Sequence, residues 1–427
     1  MIERSSLNDD LSQMTDQTNA NAEAIAPTIE SERVGSLDVL RGFALLGILV
    51  MNIQSFSMVS AAYMNPTIGD RLEGLDCWIW LASHLLADQK FMTIFSILFG
   101  AGIAMIAGRQ RQKGLPFLGL HYRRMGWLLL IGLIHAYLLW YGDILVTYAL
   151  CGMIIVKFTK LSPRLLLPLG FLSLAVPSLI MFAFQLSLPY WPEDAIRELD
   201  SGSWSPSLEL LEAERESYRG PWLVQLPHRA EAAFVMQTFL FWFQLAWRAG
   251  GLMLIGMAFW KWKILTAKRS RRFYWLLVMA GLPGTLLILY GVYRNFKASW
   301  SVDYSMFQGT QFNYWGSILV SLGYIGIVML VCKNPQILAK LNPLAAVGRM
   351  ALTNYLTQTF LCTFIFYGHG FGLFDSVSRM GQMSVVVAIW ALQLLVSPLW
   401  LKYFRFGPFE WMWRSLSYWK IQPMRVR

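Results

Sequence analysis

Three adjacent polar residues, Asp88, Gln89 and Lys90, interrupt a stretch from Cys77 to Ala107 that is otherwise apolar enough to cross a membrane. Ionised side chains are costly in hydrocarbon, so they face a bundle interior or a water-filled cavity. The interruption therefore requires a membrane bundle with polar groups meeting inside it. Composition agrees. Of 427 residues, 56% are hydrophobic and 14% charged, and the mean hydropathy is +0.45, whereas soluble domains carry about 25% charged residues. Cys77, Cys151, Cys332 and Cys362 are scattered without CxxC spacing, which predicts neither a disulfide framework nor a metal site.

The expected fold class is all-α, a polytopic helix bundle. A span needs about 20 apolar residues, and ten segments qualify: 37–60, 78–107, 122–141, 143–159, 164–187, 232–262, 273–293, 312–332, 346–368 and 382–404. The net charge of +11 follows from topology and does not point to nucleic acid. The basic connections 108–124, 157–164, 261–272 and 333–349, with the tail after Phe404, all fall on one side. The connections 61–77 and 188–231 are acidic, the latter with nine acids against four bases. The positive-inside rule then puts both termini in the cytoplasm and the long acidic segment outside.

Residues 1–32 are polar and acidic, without aromatics or an apolar core, and read as a disordered tail rather than a cleaved signal. The bundle occupies 33–404. Within its external segment 188–231, residues 205–219 fit an amphipathic helix that lies at the interface or caps the bundle. Residues 405–427 read as a cytoplasmic interfacial segment, with Trp411 and Trp413 at headgroup level and Glu410 tied to a basic bundle end.

The opening Ser36-Leu37-Asp38-Val39-Leu40-Arg41-Gly42 through Asn52-Ile53 resembles that of the YeiB-like bacterial membrane proteins, domain-of-unknown-function family 418. Four later blocks agree: Lys90 to Gly100, Gly132 to Ala136 with Gly142 to Leu145, Gly348 to Leu356, and Gly407 to Arg414. The Leu-Asp-x-x-Arg-Gly opening is also similar to that of the transmembrane acyltransferases, both the acyltransferase-3 proteins and the heparan glucosaminide acetyltransferase. That resemblance implies transfer of an acyl group from cytoplasmic acyl-CoA to an acceptor beyond the membrane. Acyltransferase-3 proteins carry His where this chain has Asn52, so a base must come from elsewhere.

Acyl transfer needs a general base, an oxyanion donor and a cationic grip on the CoA phosphates. His135 lies roughly 20 Å into its span and Asn52 roughly 16 Å into span one, at 1.5 Å per residue. The two can share a layer, with Asn52 steadying the oxyanion. Asp143 could orient His135, although eight residues of continuous helix would separate them by roughly 12 Å. Contact therefore requires the chain to turn back or a water to bridge. The structural alternative for His135 is a histidine bonded in a packed interface. His84 is the second candidate base, paired with Asp88 at i, i+4, or else a solvated interfacial pair.

Arg41, Arg124 and Arg349, together with Lys90, are expected to bind the acyl-CoA donor, the three arginines gripping its phosphates, with snorkelling anchors as their alternative. Lys90 is deeper and needs a partner, for which Asp38, Asp88 and Glu410 are candidates. Asp88, Arg248, Asn354 and Tyr355 are expected to line the substrate path; in the polar ninth span, Thr353 to Thr363, interhelical hydrogen bonding is the alternative. No tightly bound cofactor is expected, and acyl-CoA is the donor substrate. The partners are the lipid bilayer and a small-molecule or glycan acceptor. The expected location is the bacterial inner membrane. A transporter for a small polar or anionic solute is the competing function, although no repeated halves are visible.

Overall fold

The computed structural model describes residues 34–69 and 72–426. The expected tail 1–32 lies outside them. Among the described residues every extended element is helical, apart from a single bridge between Phe404 and Arg425.

In chain order the helices are α1 (Gly35–Ser57), α2 (Ser60–Met64), α3 (Gly74–Leu86), α4 (Lys90–Gln112), α5 (Leu118–Ile134) and α6 (Leu145–Ile155). Then come α7 (Pro163–Ser187), α8 (Glu193–Leu199), α9 (Leu208–Arg219), α10 (Trp222–Val235), α11 (Ala246–Lys261) and α12 (Arg271–Lys297). The last are α13 (Thr310–Cys332), α14 (Pro335–Lys340), α15 (Asn342–Arg349), α16 (Ala351–Phe366), α17 (Arg379–Tyr403) and α18 (Pro408–Tyr418).

Among the described residues seven helical stretches are long and apolar enough to cross a membrane: Gly35–Ser57, Gly74–Gln112, Pro163–Tyr190, Trp222–Lys261, Arg271–Lys297, Val302–Cys332 and Arg379–Tyr403. The expected spans 122–141, 143–159 and 346–368 are helical but short or broken. Their helices α5, α6 and α16 have 17, 11 and 16 residues. α7, α12 and α17 form the periphery, since Leu172, Leu179, Leu276, Leu286, Val387 and Leu395 face outward. α1, α4, α11 and α13 share the central core around Leu40, Ile94, Ile97, Leu252 and Ile325.

Two close helix approaches set the centre. A Cβ on Gly42 would meet the Leu344 carbonyl oxygen at 2.0 Å, and one on Gly348 would meet the Asp38 carbonyl oxygen at 2.0 Å, so α1 and α15 touch backbone to backbone. Gly100 and Gly256 bring α4 and α11 together in the same reciprocal way. Small residues at such crossings allow dispersion and weak backbone contacts to act without a hydrophobic drive between helices.

Three interruptions shape the interior. Between α3 and α4 the chain turns through Gln89 at φ 62°, a left-handed conformation for a residue with a side chain. After α5 the helix widens into a π-type turn at His135–Leu139, and the backbone extends at Trp140. α15 and α16 meet at Met350, where helical geometry fails.

The segment 188–231 is largely helical, and α9 is the expected amphipathic helix in its capping form. Ser60 donates from N and Oγ to the Glu214 carboxylate at 2.9 and 3.2 Å. Arg215 Nε donates to Asp375 at 2.7 Å, and Arg219 Nε to the Phe374 carbonyl at 2.9 Å. Leu211 and Tyr218 are buried beneath the cap.

The expectation for Glu410 is corrected. Its carboxylate accepts from Leu352 N, Thr353 N and Thr353 Oγ1 at 2.6, 3.0 and 2.5 Å. It caps the start of α16, where a helix N-terminus offers unpaired N–H groups and positive potential, and among the described residues no ion pair is shown for it. Trp413 is likewise anchored, donating from Nε1 to the Arg124 carbonyl at 2.8 Å.

Gly348→Ala is expected to lower the thermal midpoint in detergent sharply, by an overpacking cost of about 1–3 kcal/mol or more. Gly102→Ala, where a Cβ meets open space, serves as the unchanged control. Glu214 gives a pH prediction: burial raises its carboxyl above the ordinary 4.5, against the Ser60 hydrogen bonds. A raised carboxyl stabilises the docked cap fully below that ordinary value, and the contribution is lost as pH rises through the shifted one. Amide exchange across 208–219, corrected for intrinsic rates, should accelerate upward from pH 4.5, and Glu214→Gln should flatten that dependence.

Candidate functional site

The π-type turn closes the gap that a straight helix would leave between His135 and Asp143. Extension at Trp140 and the turn at Gly142, where a Cβ would strike the Trp140 ring at 2.3 Å, fold the chain back on itself. His135 Nδ1 then lies 2.8 Å from Asp143 Oδ1, and its Nε2 lies 2.9 Å from Thr359 Oγ1 on α16. Both the imidazole and the carboxylate are 1% exposed. An ionised carboxylate only accepts, so the hydrogen-bond network assigns the proton to Nδ1 and leaves Nε2 to accept from the threonine hydroxyl.

The second Asp143 oxygen accepts Val146 N at 2.7 Å and starts α6. Tyr355 packs its ring on His135 with centroids 5.1 Å apart, and Trp140 meets it edge-on at 6.3 Å. The Thr359 hydroxyl also lies 3.4 Å from the Tyr355 carbonyl. It can therefore donate to the carbonyl instead of to the ring.

Asn52 is half-buried on α1, and no side-chain hydrogen bond holds it among the described residues. The expected His84–Asp88 pair forms at 3.1 Å. It belongs to a second buried centre at the α3–α4 break. Asn313 bridges there, donating to Asp88 at 2.7 Å and accepting from Lys90 Nζ at 2.7 Å. Lys90 also donates to the His84 carbonyl at 2.6 Å. Of the three partners considered for Lys90, only Asp88 shares this network. Asp38 binds Arg41 at 2.9 Å, and Glu410 caps α16.

Arg248 is 1% exposed. It donates to the Tyr314 carbonyl, Thr93 Oγ1 and Ser317 Oγ at 3.1, 3.2 and 2.9 Å and lies over the Tyr314 ring.

The three arginine segments converge around Leu45, Leu46, Met125, Leu128 and Val347. Arg41 Nη1 lies 3.5 Å from the Gly348 carbonyl, beside Arg349, and Arg124 lies over the Trp413 ring at 4.6 Å. Asn354 donates to the Val347 carbonyl and to Ser397 Oγ at 3.2 and 3.0 Å, bonds that hold helices together. Sequence reasoning noted Thr359 only within a polar run, and did not find Asn313. The i, i+4 spacing from Tyr355 to Thr359 marked a shared helix face, whereas nothing around Asn313 distinguishes it.

A helical membrane bundle with two buried polar centres, each at a helix break, is the class that these features define. The chain belongs to the YeiB-like proteins of the DUF418 family. It is 31% identical over 400 residues to the uncharacterised protein YeiB of Escherichia coli K12, covering 90% of this chain and 96% of that protein. It is 32% identical over 418 residues to the uncharacterised protein YxaH of Bacillus subtilis 168, covering 94% and 98% respectively. A Bacillus acidopullulyticus protein, described as an uncharacterised 39.9 kDa protein in the amylase 3′ region, is 28% identical over 401 residues, covering 94% of this chain and 98% of its own. The family profile described as "Protein of unknown function (DUF418)" matches residues 259–420.

Thr359→Val keeps the side-chain shape but strands the His135 Nε2 in an apolar site. It is expected to cost about 1–3 kcal/mol of stability, measured as a lowered thermal midpoint, with Thr359→Ser close to the parent.

Proposed function

We propose that this protein is an acyltransferase of the bacterial inner membrane, with acyl-CoA as cytoplasmic donor and an extracytoplasmic hydroxyl or amine as acceptor. The observation that carries the reading is the Asp143–His135–Thr359 series, in which a carboxylate fixes an imidazole whose other nitrogen receives a hydroxyl proton. That arrangement suits general-base activation of an acceptor, because it holds the tautomer and the direction of the lone pair. The Thr359 hydroxyl occupies the place where the acceptor presents its proton.

His135 takes that proton as the acceptor oxygen or nitrogen attacks the thioester carbonyl. The C–S bond breaks as the new C–O or C–N bond forms, and the imidazolium returns the proton to the departing thiolate. Asn52 donates to the oxyanion. Arg41, Arg124 and Arg349 grip the donor phosphates at the other end. Arg349 is ten residues from Thr359, roughly 15 Å by helical rise, a gap for the pantetheine arm of the donor to bridge.

General-base catalysis contributes about 10²–10⁴-fold, so His135→Ala is expected to reduce acyl transfer by at least 100-fold in proteoliposomes given labelled acyl-CoA and candidate acceptors. Calorimetric binding of acetyl-CoA and longer acyl-CoAs should survive that change and weaken in Arg41→Ala and Arg349→Ala. A folded His135→Ala protein with undiminished transfer removes the assignment.

The transporter reading draws on the other centre. Lys90 and Arg248 lie at an interrupted helix, the feature that forms solute sites in many transporters. Solute flux without covalent change, lost in Lys90→Met, would favour it.

A further inference from the structure

Beneath the α9 cap, next to the turn that carries His135, lies a knot of buried polar groups that neither reading uses. Arg229, on α10, is fully buried. Its Nε donates to the Tyr137 carbonyl at 2.9 Å and its Nη1 to Gln225 at 3.5 Å, while its Nη2 has no partner. Gln225 in turn donates to the Tyr218 carbonyl at 3.2 Å, and Gly368 N donates to that same carbonyl at 2.9 Å. The Tyr218 and Tyr367 rings lie 4.8 Å apart. Both hydroxyls are buried without a partner, as is Trp140 Nε1 in the same core cluster. The guanidinium is close enough to both phenols for its charge to act on them.

The inventory is one-sided. The guanidinium and the indole can only donate, and the two phenols can do so. Among the described residues no carboxylate forms an ion pair with Arg229; the nearby acids of the cap are committed, Glu214 to Ser60 and Asp375 to Arg215. Buried water could satisfy the donors, but it cannot neutralise a buried cation, which demands a counter-charge or a large desolvation cost.

We propose that this cluster binds the oxyanion of a ligand, a carboxylate or phosphate, held by Arg229 Nη2 and the hydroxyls of Tyr367 and of Tyr218, which α9 itself supplies. The binding does not depend on acyl transfer. α9 itself carries Tyr218, and Leu211 and Tyr218 pack it into the core cluster of the spans. The anionic group belongs either to a lipid headgroup or to a soluble solute.

The test uses the full chain. In detergent, at constant ionic strength, inorganic phosphate and acetate are titrated against the thermal midpoint and tryptophan fluorescence. In parallel, the midpoint is compared in phosphatidylcholine nanodiscs with and without phosphatidylglycerol. Saturable stabilisation in the first arm assigns a soluble anion, and stabilisation confined to the second assigns a lipid phosphate. Tyr218→Phe and Tyr367→Phe are each expected to weaken the responding arm about five- to tenfold, in line with one lost hydrogen bond, and Arg229→Gln by more than tenfold. Should Arg229→Gln fail to fold, the two phenylalanine variants, which keep the ring volume, carry the test. The proposal is overturned if neither arm stabilises the parent. It is equally overturned if the phenylalanine variants raise the midpoint and leave the anion response unchanged, since the cluster then holds only water.

Discussion

A backbone group with no partner in hydrocarbon costs several kcal/mol, so a spanning helix can be interrupted only where something else satisfies the freed groups. Each of the three interruptions here is sutured by side chains from elsewhere in the chain. At the α3–α4 break, Lys90 takes the His84 carbonyl and Tyr324 takes the Leu86 carbonyl. Beyond α5, Arg229 and Trp222 take the carbonyls of Tyr137 and Leu138, and Asp143 takes Val146 N. At Met350, Glu410 takes the first amides of α16. The charged residues inside this bundle thus have a structural duty before any chemical one, and the bundle depends on their being there.

The same constraint explains what could be read from the sequence. Long peripheral helices such as Pro163–Tyr190 and Arg271–Lys297 are visible as apolar runs because lipid imposes their composition directly. The Asp88–Lys90 interruption and the His135–Asp143 pair were also legible, since charge within apolar sequence is rare enough to notice. Partners contributed by distant helices were not. Asn313 and Thr359 are ordinary polar residues in apolar spans, and only the fold brings them 223 and 224 positions back to Lys90 and His135. Arg229 was hidden for another reason: it lies in a segment whose acidity read as an external loop, while the structure makes it part of a helix entering the bundle.

The two buried centres differ in how fully they are occupied. Around Lys90 and Arg248 the bonds join α3, α4, α11 and α13, with Arg248 Nε left without a partner, which is how a bracing network is built. Around His135 the partners are one carboxylate and one hydroxyl with a second acceptor within reach. A threonine hydroxyl within reach of both the imidazole and the Tyr355 carbonyl can turn between them without breaking the packing.

The eight-residue spacing of His135 and Asp143 also bears on how the chain enters the membrane. α6, with 11 residues, is too short to span alone, and an aspartate held in hydrocarbon costs up to about 2.5–3.5 kcal/mol. Both partners lie in one hairpin, so their bond can close as the hairpin leaves the insertion machinery, well before Thr359 is synthesised. The nascent protein would then carry a capped carboxylate through most of its assembly, and the imidazole's second nitrogen would find its hydroxyl only when α16 docks among the last helices. Completion of the candidate site is thereby tied to completion of the fold.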